Sequence, residues 1–282
     1  MDVTARMTYL EWQDLYSTEK PFQIFVSVDA AAGENIRDTN IVFGQGTEEI
    51  IHDCRGKEGD FTLDEHGFSF VTHHSQMVSW DDADTVKEVY LKEVEELLRQ
   101  QVDDVGQVFF FDWRIRRSSV DETPGRLINF NDKLDVLAPA IHVHVDQTPT
   151  AVLKRVQVQC PVGMLSNRVR VINAWRPLRG PVKQWPLAIC DARTVQQSDL
   201  VAADHVRKHY TGETYYVKQS PGFVWHYLSN QLPYEVLLFK NFDSLEGKSQ
   251  CCPHSSFQLP VSEEDAPFRE SIEVRALVFS RN

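Results

Sequence analysis

The run from Arg269 to Phe279 constrains the fold more than any other stretch of the chain. Its residues alternate, with Arg269, Ser271, Glu273 and Arg275 on one side and Ile272, Val274 and Ala276 on the other. Successive side chains of a strand point to opposite faces, so this run reads as a strand with one polar and one apolar face. Residues 168–177 alternate in the same way, and shorter runs at 22–28, 66–71, 108–116, 215–217 and 235–240 read as further strands, with an ordered segment at 47–53. Gly, Pro and Asn punctuate them, for example at Pro124-Gly125 and Asn129. Many short strands broken by turn residues predict a mainly β chain folded as a double-sheet jelly roll with helices at its outside. The clearest helix is 84–101, where Val86, Val89, Tyr90, Val94, Leu97 and Leu98 form an apolar stripe behind an acidic start. A second helix is expected over 148–156.

A chain of 282 residues with 42% hydrophobic content can build one large core. We read residues 1–282 as one domain, with a mixed α/β region over 1–105 packing on a β-rich core over 106–282. The net charge of −12, with Lys and Arg scattered, argues against a nucleic-acid partner. No apolar run of about 18 residues suggests a membrane span, and no signal peptide is evident, so a soluble, cytoplasmic protein is expected. The five cysteines, at 54, 160, 190, 251 and 252, make neither an even disulfide framework nor a Cys-x-x-Cys pair. Reduced thiols are expected, with Cys251-Cys252 singled out because it lies just before His254.

Chemistry is concentrated in Ile141-His142-Val143-His144-Val145-Asp146. On a strand His144 and Asp146 share a face, so an imidazole and a carboxylate can reach one metal ion. A distant histidine would complete a 2-His-1-carboxylate set, the arrangement of non-heme Fe(II) oxygenases. His254, 108 residues beyond Asp146, is the first choice; His226 is the rival and His142 a weaker one. The adjacent His73 and His74 point to opposite faces and make poor joint ligands. Arg269 and Ser271, 15 and 17 residues after His254, offer a guanidinium and a hydroxyl as a fork for a carboxylate. Arg275, on the same face, is the competing anchor.

Eight blocks carry a resemblance: HVDQT at 144–148, INAWRPL at 172–178, WPLAICDAR at 185–193, DLVAAD at 199–204, GETYYV at 212–217, EVLLFKNFDS at 235–244, PHSSF at 253–257 and RESIEVRALVF at 269–279. The resemblance covers roughly residues 105–282. In order and spacing they resemble the fungal AsaB-like hydroxylase/desaturase family, which includes gibberellin desaturase and relatives of the cephem 7α-hydroxylase subunit. The resemblance implies a double-stranded β-helix, the cupin-like jelly roll, and Fe(II)/2-oxoglutarate chemistry with O2 on a small molecule of secondary metabolism. It places the metal on His144, Asp146 and His254 and the far carboxylate of 2-oxoglutarate on Arg269 and Ser271. The reaction it implies couples decarboxylation of 2-oxoglutarate to removal of hydrogen from a substrate C–H bond, followed by hydroxylation, desaturation, or ring or peroxide formation. Asn173, Trp175 and Arg176 enter as substrate-pocket candidates. So do Trp225 and His226, because Gly222-Phe223-Val224-Trp225-His226-Tyr227 stands where an aromatic and basic run is expected. Two alternatives stay open: a homologous partner subunit without activity of its own, and a metal-dependent cupin-type isomerase or lyase. A homodimer is a further expectation.

Overall fold

The computed structural model describes residues 1–25, 38–119, 129, 132–207, 210–248, 250–260 and 266–281. Val26, Ser27 and Val28 of the expected strand over 22–28, and the Pro124-Gly125 turn, lie outside these residues.

Two β-sheets carry the architecture, as the alternating runs predict. The larger has nine strands in the order Val3–Ala5, Glu49–Asp53, Trp225–Tyr227, Leu187–Cys190, His254–Ser256, His144–Val145, Tyr210–Val217, Leu200–Arg207 and Phe22–Ile24. The smaller has five, in the order Phe68–Thr72, Glu235–Asp243, Val169–Pro177, Glu270–Ser280 and Val105–Arg117. Thr8–Leu10 and Phe43–Gln45 form a separate pair. Strands adjacent in a sheet are often far apart in sequence, which is what a jelly roll requires. Segments of the first 105 residues extend both sheets, with Val3–Ala5, Phe22–Ile24 and Glu49–Asp53 in the larger and Phe68–Thr72 in the smaller.

The five-stranded sheet is covered on one face by the helical segment that the apolar stripe predicts. It begins at Ala83, passes through a π-turn at Val86–Tyr90 and continues as Leu91–Gln101. The Asp82 carboxylate caps its start by accepting from the backbone N–H groups of Asp84 and Thr85. Val86, Tyr90, Val94, Leu97 and Leu98 pack on Ile172, Ala174, Ile272, Val274, Ala276 and Val278, the apolar sides of two central strands. The opposite side of those strands therefore faces the interior between the sheets. A second helix, Pro149–Gln159, is capped by Thr148, whose hydroxyl accepts from Ala151 N–H. Its Val152 and Val156 pack on Val169, Val171, Leu277 and Phe279 and close the interior beyond Arg275. No helix among the described residues is long and apolar enough to cross a membrane.

Candidate metal and cosubstrate site

His144 and His254 are direct cross-strand partners on adjacent strands of the larger sheet. Directly opposed residues share a face with their Cβ atoms about 4.5–5.5 Å apart. Asp146 follows His144 by two residues, and the three groups meet with their ligand atoms all within 4.8 Å of one another. The His144 and His254 rings lie 4.3 Å apart between centroids. Nε2 of His144 is 3.7 Å from Oδ1 of Asp146, and Nε2 of His254 is 3.9 Å from Oδ2.

Backbone carbonyls set the tautomer of both histidines. Nδ1 of His144 lies 2.8 Å from the carbonyl oxygen of His142, and Nδ1 of His254 lies 3.0 Å from that of Cys252. A carbonyl only accepts, so each Nδ1 donates and each Nε2 turns its lone pair toward Asp146. Burial, with His254 beside it, lowers His144 to about 4, and burial likewise lowers His254. Both rings are thus neutral at neutral pH, the form that binds a metal. Nε2 of His254 is buried without any hydrogen-bond partner.

Asp146 is held on three sides. Its backbone N–H donates to Oδ1 of Asn241 at 2.9 Å, Nδ2 of Asn173 donates to its Oδ2 at 2.6 Å, and a terminal nitrogen of Arg275 lies 2.7 Å from its Oδ1. Burial alone would raise its pKa, but the Arg275 guanidinium, helped by the Asn173 hydrogen bond, outweighs burial and holds it ionised below the usual carboxylate range. Two neutral imidazoles and one carboxylate on one face fit a hard-to-borderline divalent ion such as Fe(II).

Arg275 is fully engaged. Besides Asp146 it meets Glu273 at 2.7 Å and Asp112 at 3.2 Å, and these three carboxylates outweigh burial to raise its pKa. Arg269 stands in contrast. It is 2% exposed, and one terminal nitrogen donates to the carbonyl of Trp185 (3.1 Å) and to the Ser256 hydroxyl (3.0 Å). Its Nε and other terminal nitrogen are buried without partners, as is Oγ of Ser271. Burial and the neighbouring Arg116 guanidinium pull Arg269 down to about 9. A buried cation without a carboxylate, beside an unpartnered hydroxyl, fits a site for an anionic ligand.

Of the expected pocket residues, Asn173 sits against Asp146 and Trp175 lies 5.7 Å beneath the Arg269 guanidinium. Arg176 does not join them. Strand alternation turns it to the helix-covered face, where it donates to the carbonyls of Pro233 and His73 and lies over the Tyr90 ring. Trp225 is buried in a separate apolar cluster with Met7, Ile51 and Val143. His226 lies in register with Ile189, which in turn pairs with His254, so it is two strands from the triad, about 9–10 Å. There it packs against Phe61 and Phe68. His142 stacks on Phe43. The Cys252 thiol lies 3.5 Å from the carbonyl of His66, and burial pushes Cys251 to about 12 and Cys252 well above its ordinary value, so neither is a reactive thiolate.

Two groups escape the sequence reading. Asn241 sits inside an apolar run that gives no signal. Arg116 belongs to Asp112-Trp113-Arg114-Ile115-Arg116, whose alternation places three charged residues on one face and could have marked it.

A family described as Oxidoreductase/YMDC permease-like domain matches residues 7–279. The chain is 36% identical over 248 residues to hydroxylase/desaturase efuI of Hormonema carpetanum, covering 82% of each protein. It is 33% identical over 239 residues to the Fe(II)/2-oxoglutarate-dependent dioxygenase nvfI of Aspergillus novofumigatus, covering 81% of this chain and 82% of that one. Among solved structures, the iron and alpha-ketoglutarate-dependent endoperoxidase NvfI superposes with a TM-score of 0.84 at 28% identity, covering 100% of this chain and 99% of that one. The jelly-roll fold and the His-Asp-His cluster agree with these likenesses. The chain belongs to this oxidoreductase family and, within it, to the fungal Fe(II)/2-oxoglutarate-dependent hydroxylases and desaturases.

Proposed function

We propose that the protein oxidises a C–H bond of a small secondary metabolite, with His144, Asp146 and His254 holding Fe(II) and Arg269 with Ser271 holding the far carboxylate of 2-oxoglutarate. The observation that carries this reading is the pairing of a preoriented His-Asp-His set, His254 buried and the other two partly so, with a buried guanidinium that has no carboxylate in contact. Iron(II) with 2-oxoglutarate and O2 supplies the oxidising power, the cosubstrate leaving as succinate and CO2.

The residues contribute orientation and exclusion of water. The carbonyls of His142 and Cys252 lock the two imidazoles, so neither ring can flip to offer Nδ1. Asn173 and Arg275 each engage one oxygen of Asp146, which limits how the carboxylate can turn. We assign Arg275 to this buttressing role, because its three carboxylate partners leave it little capacity for a further anion. Trp175 beneath Arg269 and Phe239, 4.6 Å from the His254 ring, shield the interior from solvent. Hydroxylation, desaturation, and ring or peroxide formation share the removal of substrate hydrogen and differ in how the substrate is held afterwards. A cytoplasmic setting suits the five free cysteines.

The test is release of succinate from 2-oxoglutarate by purified protein given Fe(II), ascorbate and O2, with and without candidate metabolites. Turnover that requires Fe(II) and rises with one metabolite supports the reading. Failure of Mn(II)-loaded protein to bind 2-oxoglutarate, together with no succinate, would sink it.

A further inference from the structure

The inner face of the five-stranded sheet carries a grid of charged residues that the Arg-x-Ser fork does not account for. Val105–Arg117 pairs antiparallel with Glu270–Ser280, setting Arg116 opposite Ser271, Arg114 opposite Glu273 and Asp112 opposite Arg275. Directly opposed residues project from the same face, so Arg116 stands beside Ser271 on the interior side.

The carboxylates of this face are claimed elsewhere. Arg275 takes Asp146, Glu273 and Asp112, and Nε of Arg114 lies 3.5 Å from Asp112. Lys133 also pairs with Asp112. Arg116 donates from one terminal nitrogen to the carbonyl of Ala138 at 2.7 Å, and no carboxylate among the described residues forms an ion pair with it. The same holds for Arg269. Two guanidiniums with no carboxylate in contact therefore flank one unpartnered hydroxyl. Burial lowers the pKa of Arg116, and burial together with the Arg116 charge lowers that of Arg269; Glu273 offsets part of both effects but contacts neither guanidinium, so the two cations still repel each other. Arg116 is only partly buried, so a ligand can reach it.

We propose that Arg116 is a second cation for 2-oxoglutarate, sharing the far carboxylate with Arg269 across Ser271. The inference rests on the function proposed above. A carboxylate has about four lone-pair sites, enough for the Arg269 fork, the Ser271 hydroxyl and one donor from Arg116. Cross-strand diagonal neighbours lie about 7–8 Å apart, a gap that a carboxylate bridging two long side chains can span. The bound anion relieves the repulsion between the cations, so cosubstrate binding is coupled to both.

The experiment is calorimetric titration of Mn(II)-loaded wild type, Arg116→Gln, Arg116→Lys and Arg269→Gln with 2-oxoglutarate and with 2-oxobutyrate, which keeps the 2-oxo acid end and lacks the second carboxylate. Arg116→Gln should weaken 2-oxoglutarate by about tenfold or more, leave 2-oxobutyrate unchanged and leave Mn(II) affinity unchanged. Arg116→Lys should recover part of the loss. Wild-type affinity for 2-oxoglutarate in Arg116→Gln overturns the proposal. So does an equal loss for both acids, which would place Arg116 at the metal-side carboxylate or in the fold. If wild type itself binds no 2-oxoglutarate, the proposed function falls first and this inference with it.

Discussion

Replacing Arg269 with Gln separates a ligand-binding arginine from a structural one by the sign of two effects. The guanidinium is 2% exposed, has no carboxylate partner and leaves two nitrogens without hydrogen bonds. An uncompensated buried cation costs folding energy, so its removal should leave thermal stability unchanged or raised, whereas breaking a buried ion pair costs about 3–5 kcal/mol. Binding should move the other way. A truncated charge-assisted contact to a buried carboxylate costs about 2–5 kcal/mol, and at about 1.4 kcal/mol per decade this is a loss of roughly 30-fold to several thousandfold in 2-oxoglutarate affinity. Ser271→Ala removes a single hydroxyl and should cost only about 0.5–1.5 kcal/mol. Calorimetric titration of the Mn(II)-loaded protein, with thermal unfolding of the apoprotein, reads both effects. A lowered melting temperature with unchanged 2-oxoglutarate affinity would refute the reasoning and make Arg269 a structural residue.

Asp243→Ala should destabilise the protein by about 3 kcal/mol, because it leaves the buried Lys240 ammonium with only Asp64, 3.7 Å away, in place of a carboxylate at 2.8 Å and removes one of the two carboxylates that Arg168 pairs with; urea denaturation measures it. Burial would raise the Asp243 pKa, but Arg168 and Lys240 hold it below its ordinary value, so the pair's contribution is present above the unfolded carboxylate pKa of about 3.9 and fades as pH falls through the lower folded value. The stability gap between wild type and variant should therefore narrow below about pH 4, and a gap independent of pH would contradict the assignment. Asn173→Ala frees one oxygen of Asp146 and should weaken Mn(II) binding by about 10–100-fold, the usual range for a residue behind a metal ligand. Arg176→Met should lower stability by about 1–3 kcal/mol through the unmet carbonyls of Pro233 and His73 while leaving 2-oxoglutarate affinity at the wild-type value; a loss of that affinity would return Arg176 to the pocket.

Local periodicity made much of this architecture legible. The terminal strand runs from Glu270 to Ser280 as its alternation predicts, and the apolar stripe of 84–101 lies on the sheet, though a π-turn interrupts the helix at Val86–Tyr90. Strand ends were less legible: Tyr210–Val217 and Val105–Arg117 extend well beyond their apolar cores, because pairing with a neighbour continues where hydrophobicity does not. Asp146 and His144 are two residues apart, so their shared face follows from the strand itself. Their meeting with His254 depends on the direct pairing of two strands that sequence does not pair. The same limit explains Arg116 and Asn241, whose roles come from register across the sheet and the gap between sheets. Arg176 shows the converse: alternation in Asn173-Ala174-Trp175-Arg176 already separates it from its two neighbours, and proximity in sequence suggested a common pocket that the strand divides.

The central claim is that His144, Asp146 and His254 together hold the metal, and metal titration of single variants tests it most directly. Wild type and His226→Ala should each bind one equivalent of Mn(II) or anaerobic Fe(II), while His144→Ala, Asp146→Ala and His254→Ala lose most of that affinity and keep the fold by circular dichroism. One tight equivalent retained in His254→Ala and lost in His226→Ala would contradict the account.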